Sequence, residues 1–366
     1  TKYLIIYYVL LFFIRNLIMG GERVREYMKN IVGNVALKQK LCGDIIRDKL
    51  PHALIIEGAR GTGKHTFALQ TAAALACESK NDNSAPLPCG SCQSCKKILN
   101  KLCCDVITVG RDGKATLGVD TVRFLKEDVH TLPNDLDFKL YIIEDADKMT
   151  EQAQNALLLT LEEPPSFVRF MLLCENAELM LQTVRSRAPV LRTEGVTNSE
   201  LDEYISAHDT RAAQMKLSAP AEYAELIMAA KNGIGTALEY LNPKTFAPVK
   251  EVRRLALDFT EAATDGTSSR NILSLLPALT QKRELFELQL SAISEAVTDL
   301  MLLKKNDDAR LTFFSDRERA IELCDRCSMS FLYKLSEAVL EAIHSNQRNA
   351  NVRLTAVEMF VNAGLI

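Results

Sequence analysis

The strongest constraint on the fold is a short apolar segment that leads directly into a glycine-rich loop ending in lysine. Ala53–Glu57 predicts a buried strand, and the alanine-rich segment 66–77 is typical of a helix. Between them lies Gly58-Ala-Arg-Gly-Thr-Gly-Lys64. In this setting backbone N–H groups and the helix N-terminus attract phosphate oxygens. The sequence therefore predicts a phosphate-binding loop, or P-loop, although a glycine-rich turn without a ligand is the alternative. The predicted phosphate contacts are Gly58, Gly61, Gly63 and Lys64.

The residue after Lys64 departs from the usual P-loop pattern, in which a serine or threonine hydroxyl binds magnesium. His65 stands at this position, and Thr66 follows it. Mg²⁺ prefers oxygen ligands to imidazole nitrogen, and one helical residue rotates a side chain by about 100°. Thr66 is therefore not expected to replace the missing hydroxyl, although His65 and Thr66 both belong to the predicted nucleotide pocket.

A second buried strand is predicted at 140–143, and the acidic residues Glu144 and Asp145 follow it. In P-loop ATPases this position usually carries an aspartate that supports the metal and then a glutamate that activates water. Here the two acids stand in reverse order, and phosphoryl transfer tolerates little misplacement of its groups. The chain thus departs twice from the residue pattern that phosphoryl transfer requires, which predicts weak or absent ATP hydrolysis. Acids that merely end a strand are the alternative.

The spacing of the cysteines predicts a metal site. Six of the ten lie between Cys77 and Cys104, and three of these fall in Cys89-Gly-Ser-Cys92-Gln-Ser-Cys95. Four thiolates suit a tetrahedral Zn²⁺, and a site with four protein ligands is structural because no position is left for water. Unliganded thiols are the alternative. The predicted ligands are Cys77, Cys89, Cys92 and Cys95.

Cysteine usage also bears on the compartment. Disulfide scaffolds of secreted proteins are short and dense in cysteine, unlike this chain, so a reducing compartment, the cytoplasm, is expected. Cys324 and Cys327 lie three residues apart in a predicted helix, where packing is the simpler interpretation. Lys96 and Lys97 follow the cysteine cluster and are expected to offset its negative charge.

The strand, P-loop, cysteine cluster and acids, in this order, resemble the clamp-loader branch of the AAA+ ATPases. The segment 155–165, Asn-Ala-Leu-Leu-Leu-Thr-Leu-Glu-Glu-Pro-Pro, is close to a hallmark of that family. The segment 183–188 resembles its Ser-Arg-Cys motif, with Ala188 in place of cysteine. The resemblance covers roughly residues 24–366. Further matching blocks are 31–34, 50–53, 120–123 and 349–354.

The resemblance implies roles for residues beyond the P-loop. Arg187 matches the arginine finger, which acts on the γ-phosphate held by a neighbouring subunit and is worth about 10³–10⁵ in rate. Arg185 is a competing candidate, and a surface ion pair is the alternative for Arg187. Asn176 matches the polar sensor position, whereas Thr236 stands where ATP-using relatives carry a second-sensor arginine.

The predicted fold is an α/β AAA+ P-loop core with a parallel sheet over 24–192, which includes the zinc knuckle at 77–95. A small helical lid domain is expected at 193–248, and its segment 242–248 reads as a linker because of its proline spacing. An all-α collar domain is expected at 249–366. Residues 1–23 form an apolar extension whose unbroken run, 3–14, is shorter than the roughly 20 residues needed to span a bilayer. A misassigned upstream start is the leading interpretation, with an interfacial anchor or an export signal as alternatives.

The charge balance limits how the chain meets DNA. Lys and Arg number 44 against 47 Asp and Glu, so any DNA contact is local or shared with partners. The resemblance implies a largely non-hydrolysing scaffold in a hetero-pentameric clamp loader, whose partners are the other loader subunits, the sliding clamp and primer–template DNA. No membrane contact is expected. An ATP-hydrolysing motor subunit and a stand-alone repair or recombination factor are the alternatives. Whether ATP or ADP binds the degenerate pocket is left open.

Overall fold

The computed structural model describes residues 25–111, 116–265, 269–280 and 282–366. Two compact units meet at residues 194 and 195 along the chain. The apolar extension predicted at 1–23 lies outside the described residues. Within those residues, every helix is too short or too polar to cross a lipid bilayer.

The first unit is built on a sheet of five strands, all parallel, in the order β2-β3-β4-β1-β5. Strands predicted at 53–57 and 140–143 are confirmed, and so is the parallel sheet. The strands are β1 (Ala53–Glu57), β2 (Val106–Val109), β3 (Lys139–Ile143), β4 (Val168–Cys174) and β5 (Val190–Arg192).

Six α-helices of the described part of this unit connect and cover the strands, as the crossover connections of a parallel sheet require. They are α1 (Val35–Ile46), α2 (Lys64–Leu75), α3 (Gln93–Leu99), α4 (Val119–Asp128), α5 (Glu151–Glu162) and α6 (Gln182–Arg185).

Both faces of the sheet are buried, because successive residues of a strand point to opposite sides. Leu54 and Ile56 of β1 pack on one side with the buried residues of α1 and α2. Ala53 and Ile55 pack on the other side with those of α4 and α5. This double burial explains why the strands read as unbroken apolar runs in the sequence.

A buried carboxylate fastens the loop between α4 and β3. Asp105 is fully buried just before β2, and its side-chain oxygens accept hydrogen bonds from the backbone N–H groups of Asn134, Asp135 and Leu136, at 2.9, 2.6 and 2.8 Å. Charge-assisted bonds of this kind are stronger than neutral ones. The loop that leads into β3 is therefore fixed by one side chain.

In the described residues of the second unit, all regular secondary structure is helical. Its helices are α7 (Asn198–His208), α8 (Thr210–Ser218), α9 (Pro220–Ala229), α10 (Ile234–Tyr240), α11 (Pro243–Thr264), α12 (Ser269–Leu279), α13 (Arg283–Lys305), α14 (Arg317–Arg326), α15 (Met329–Gln347) and α16 (Val352–Asn362). An all-α C-terminal region is thus confirmed, while its division into 193–248 and 249–366 stays a prediction.

The linker predicted at 242–248 is wrong, because this segment opens the 22-residue helix α11. Asn242 caps that helix by accepting a hydrogen bond from the Lys244 N–H at 3.1 Å. Pro243 is its first residue, a position where proline is favoured because its missing N–H would have no helical partner. Pro248 is accommodated within the helix. Proline spacing alone does not separate a helix start from a linker.

Helix α13 carries apolar residues at helical spacing, and most but not all of them lie in the core of the second unit. Ile293, Val297 and Leu300 of α13 are fully buried in its core. Leu288 matches the same pattern but is 59% exposed. Asp299 of α13 is fully buried and accepts hydrogen bonds from the backbone of 312–314, as Asp105 does for its own loop in the first unit.

We predict that Asp105→Asn destabilises the first unit by about 3 kcal/mol, because an amide can accept only part of the hydrogen bonds that the carboxylate accepts. Denaturant unfolding followed by far-UV circular dichroism measures this. Asp120→Asn is the matched control, since the Asp120 side chain is 96% exposed. Equal unfolding midpoints for the two variants would contradict the role given to Asp105.

Candidate functional site

The glycine-rich loop has the backbone shape of a phosphate cradle. Gly61 and Gly63 adopt left-handed φ angles of 77° and 87°, which glycine adopts without a steric cost. Gly58 lies so close to Thr193 that a Cβ there would approach the Thr193 Oγ1 to 1.9 Å. Helix α2 begins at Lys64, two residues before the predicted helical segment, so the first-turn N–H groups border the loop.

Lys64 lies folded across this loop. Its Nζ donates hydrogen bonds to the carbonyl oxygens of Gly58 and Ala59, at 2.6 and 2.9 Å. Burial lowers the pKa of Lys64, and the nearby carboxylates of Glu175 and Asp147 raise it in part. The ammonium group is thus held at the mouth of the cradle beside acidic groups.

His65 and Glu144, the two residues that depart from the metal-binding pattern, contact each other. The Nδ1 of His65 lies 2.7 Å from the Oε1 of Glu144, an ion-pair distance when the imidazole is protonated. Thr66, the hydroxyl residue that comes one position late, is exposed. The sequence indicated each departure separately, but not that the two side chains would pair.

The side chain of Asp145 pairs with Arg111. Its backbone adopts a left-handed φ of 51°, and its Oδ2 accepts a hydrogen bond from the Nε of Arg111 at 2.8 Å. Glu144 and Asp145 therefore suit Mg²⁺ poorly, since one contacts an imidazole, the other pairs with a guanidinium, and the hydroxyl ligand is missing.

A third acid after β3 was missed by the sequence reasoning. Asp147 is 8% exposed, and its Oδ2 accepts hydrogen bonds from the N–H groups of Glu175 and Asn176, at 3.3 and 3.4 Å. It joins the end of β3 to the end of β4. Its place in the acidic run 144–147 was the available signal.

Asn176, the predicted sensor, lies at the carboxyl end of β4 between the P-loop strand and the acidic strand. Its Oδ1 accepts a hydrogen bond from the Glu178 N–H at 2.9 Å and so caps the turn 177–179. Glu57 also supports this turn by accepting from the Ala177 N–H at 3.2 Å. A hydrogen bond from Arg192 lowers the pKa of Glu57.

Arg187 and Arg185, the two finger candidates, are each paired with a different carboxylate. The guanidinium of Arg187 pairs with Glu162 at the end of α5 and donates to the Thr183 carbonyl at 2.8 Å. Its side chain is 34% exposed. Arg185 pairs with Glu178 at 2.7 Å. The surface ion pair considered as an alternative is therefore present, and Arg187 reaches solvent with part of its side chain.

The side chain of Asn34 joins the segment before α1 to the backbone that follows β5. Its side-chain amide donates to the Glu194 carbonyl at 2.9 Å, and its oxygen accepts from the Glu194 N–H at 2.7 Å. This reciprocal pair links residues at opposite ends of the first unit. Sequence spacing gave no indication of it.

The four cysteines predicted as metal ligands are brought together. Their sulfur atoms all lie within 4.8 Å of one another. Tetrahedral Zn–S bonds of about 2.3 Å would separate the sulfurs by about 3.8 Å, and the sulfurs of Cys89 and Cys95 are 3.9 Å apart. Backbone N–H groups of Cys92 and Cys95 donate to the sulfurs of Cys89 and Cys92, both at 3.4 Å. The cluster therefore fits a tetrahedral zinc ion.

The cluster also belongs to the core. Cys77 and Cys95 are buried among the apolar residues beside α1 and α2, so the knuckle ties the end of α2 to the start of α3. Lys97 pairs with Asp135 at 2.8 Å, so its charge is not reserved for the thiolates as expected. Cys324 packs against the Leu300 carbonyl, which agrees with the packing interpretation.

The fold and the site define a class of protein. The P-loop follows β1, the acids follow β3, and β4 with its polar terminal residue lies between those strands. This strand order with these motifs is that of an AAA+ P-loop protein.

The comparisons with known proteins narrow the class. The family model for "DNA polymerase III, delta subunit" matches residues 33–197. DNA polymerase III subunit gamma of Buchnera aphidicola subsp. Schizaphis graminum (strain Sg) is 32% identical over 162 residues, 44% of this chain and 43% of the relative. DNA polymerase III subunit tau of Bacillus subtilis (strain 168) is 34% identical over 164 residues, 44% of this chain and 28% of the relative.

A solved structure is similar over more of the chain. The crystal structure of a DNA polymerase III gamma subunit-related protein from Thermotoga maritima covers 89% of this chain and 98% of that one, at 17% identity and a TM-score of 0.43. The chain spans less than half the length of the two curated relatives. The sequence similarity to subunits of DNA polymerase III thus lies within about half of the chain.

We predict that the purified chain carries about one zinc ion, and that Cys92→Ser loses it and destabilises the first unit by about 3 kcal/mol or more. Elemental analysis and denaturant unfolding measure the two effects. Cys104→Ser is the control, because Cys104 is exposed and lies outside the cluster. A wild-type chain that stays metal-free after incubation with zinc salt would rule the site out.

Proposed function

We propose that the chain is a clamp-loader subunit of the delta-prime type in DNA replication. It would hydrolyse little or no ATP itself, and it would lend Arg187 to the ATP site of a neighbouring tau/gamma subunit. The observation that carries this proposal is the contact between His65 and Glu144, which takes up the groups that a hydrolysing pocket needs for its metal.

The arrangement of acids supports the absence of hydrolysis. An ATPase of this class needs a metal-supporting carboxylate and a second carboxylate that orients water. Glu144 is paired with His65, and Asp145 is paired with Arg111. Both acids are thus engaged within the chain, so neither the metal nor the attacking water has its usual partner.

The placement of Arg187 supports an outgoing role. Arg187 follows the short helix α6, and its side chain is one-third exposed while its guanidinium rests on Glu162. A γ-phosphate of a neighbour would replace that carboxylate as the partner of the guanidinium. A planar guanidinium suits phosphate oxygens because it can donate two parallel hydrogen bonds.

The proposed assembly follows from the resemblance of the chain to clamp-loader subunits. The partners would be tau/gamma and delta subunits in a hetero-pentameric ring that loads the sliding clamp onto primer–template DNA in the cytoplasm. The cysteine cluster would hold a structural zinc ion, and the P-loop would retain at most a bound nucleotide. The second unit would provide the collar that joins the subunits.

A motor subunit of the tau/gamma type is the second candidate. The observation in its favour is that the curated relatives reported above are named gamma and tau. It differs from the leading proposal in one respect that can be measured, because a motor subunit must hydrolyse ATP in its own pocket.

We predict that the purified chain shows negligible ATPase activity. In a reconstituted loader, Arg187→Ala should slow hydrolysis at the adjoining site by about 10³-fold, since that site loses its finger. Steady-state phosphate release and single-turnover hydrolysis measure these rates. Arg185→Ala is the matched control, because Arg185 lies in the same segment and pairs with a different carboxylate.

The same assay separates the two candidates. Lys64→Ala should leave hydrolysis by the loader almost unchanged if the chain is a scaffold. A collapse of activity in Lys64→Ala, together with turnover by the isolated wild-type chain, would favour the motor subunit. An Arg187→Ala loader as active as wild type would exclude the finger.

A further inference from the structure

The first unit combines an intact phosphate cradle with a metal position that a side-chain pair has taken over. We propose that this P-loop binds the phosphates of a nucleoside diphosphate directly, without Mg²⁺, and that the imidazole of His65 stands where the metal would be. This inference rests on the same contact between His65 and Glu144 as the proposed absence of hydrolysis, and it goes beyond that function by naming a ligand for the pocket.

The cradle itself is retained. The left-handed Gly61 and Gly63 shape the loop, and α2, a helix of 12 residues, begins at Lys64. Its first-turn N–H groups lack helical acceptors and carry partial positive charge. The two carbonyls that Lys64 now contacts are neutral acceptors. A phosphate oxygen is a stronger acceptor for an ammonium group, so an anion in the loop would draw Lys64 away from them.

The metal position offers no oxygen set for Mg²⁺. A bound Mg²⁺ needs near-octahedral oxygen ligands at about 2.0–2.1 Å. His65 contributes nitrogen where the hydroxyl would be, and its Nδ1 is 2.7 Å from the Glu144 carboxylate. Asp145 is held by Arg111 at 2.8 Å. To bind the metal, the pocket would have to break both contacts and would still lack the hydroxyl.

The charges around Lys64 favour a diphosphate over a triphosphate. A metal ion normally bridges the β- and γ-phosphates and neutralises the charge that they share. Without it, the loop has Arg60 and Lys64 as its own cations, and the carboxylates of Glu175 and Asp147 interact with Lys64. A third phosphate would add negative charge beside those carboxylates, so ADP should bind more tightly than ATP when metal is absent.

The test is titration of the full-length chain with ADP by isothermal titration calorimetry, once with MgCl₂ and once in buffer freed of Mg²⁺ by a chelating resin, with no soluble chelator that would remove zinc from the cysteine cluster. We expect the two dissociation constants to agree within about twofold, and ATP to bind more weakly than ADP in the Mg²⁺-free buffer. A loss of ADP affinity of about tenfold or more in the Mg²⁺-free buffer would overturn the proposal, and so would a chain that binds no ADP in either buffer.

Two variants locate the effect. Lys64→Ala should abolish binding if the P-loop is the site, and unchanged binding would overturn the assignment. The double variant His65→Ser, Glu144→Asp supplies the hydroxyl and the shorter acid, and we expect Mg²⁺ to strengthen its ADP affinity by about tenfold. A folded double variant that stays indifferent to Mg²⁺ would show that His65 and Glu144 do not exclude the metal. Circular dichroism checks folding, and the wild-type titration stands without either variant.

This outcome is independent of the finger. The role of Arg187 is measured by ATP hydrolysis in a neighbouring subunit, whereas ADP affinity is measured on the isolated chain. Magnesium-dependent ADP binding with an intact Arg187 effect would remove this inference and leave the proposed role of Arg187 in place.

Discussion

The parallel pairing of β3, β4 and β1 determines what the candidate site can contain. Because the carboxyl ends of parallel strands meet at one edge of a sheet, the P-loop, the sensor position and the acids converge there. Asp147 reinforces this edge by bonding to the backbone that follows β4. This convergence brings His65 into contact with Glu144. Two departures from the usual P-loop pattern that lie far apart in the sequence thus meet at the predicted metal position.

Much of this architecture follows from local sequence, and the part that does not is tertiary. Strand β1 and the P-loop were predictable because apolar runs and glycine patterns report local geometry. The pairing of Lys97 with Asp135 was not, since those residues meet only when the loop before β3 is closed. The exposure of Leu288 also could not be predicted from the sequence, because apolar periodicity identifies the buried face of a helix but not where that face ends.

The segment 242–248 shows a different limit. Proline restricts the backbone in a linker and at the first turn of a helix in the same way, so its spacing fits both structures. The cap on Asn242 decides between them, and a cap is recognised only from the hydrogen bond that it makes. The cysteines could be predicted from the sequence, because their spacing is typical of zinc ligands. The fold then brings the four sulfur atoms together.

If Arg187 acts as the proposed finger, its ion pair with Glu162 keeps the side chain ordered and still available to a neighbouring phosphate. A partly exposed ion pair contributes only about 0–1 kcal/mol, so breaking it costs little. The carbonyl of Thr183 also accepts from the guanidinium, which limits the freedom of the side chain before a partner arrives. A phosphate that carries more charge than a carboxylate would then gain more from the guanidinium than Glu162 loses. The proposed finger would thus be positioned by an interaction weak enough to be exchanged.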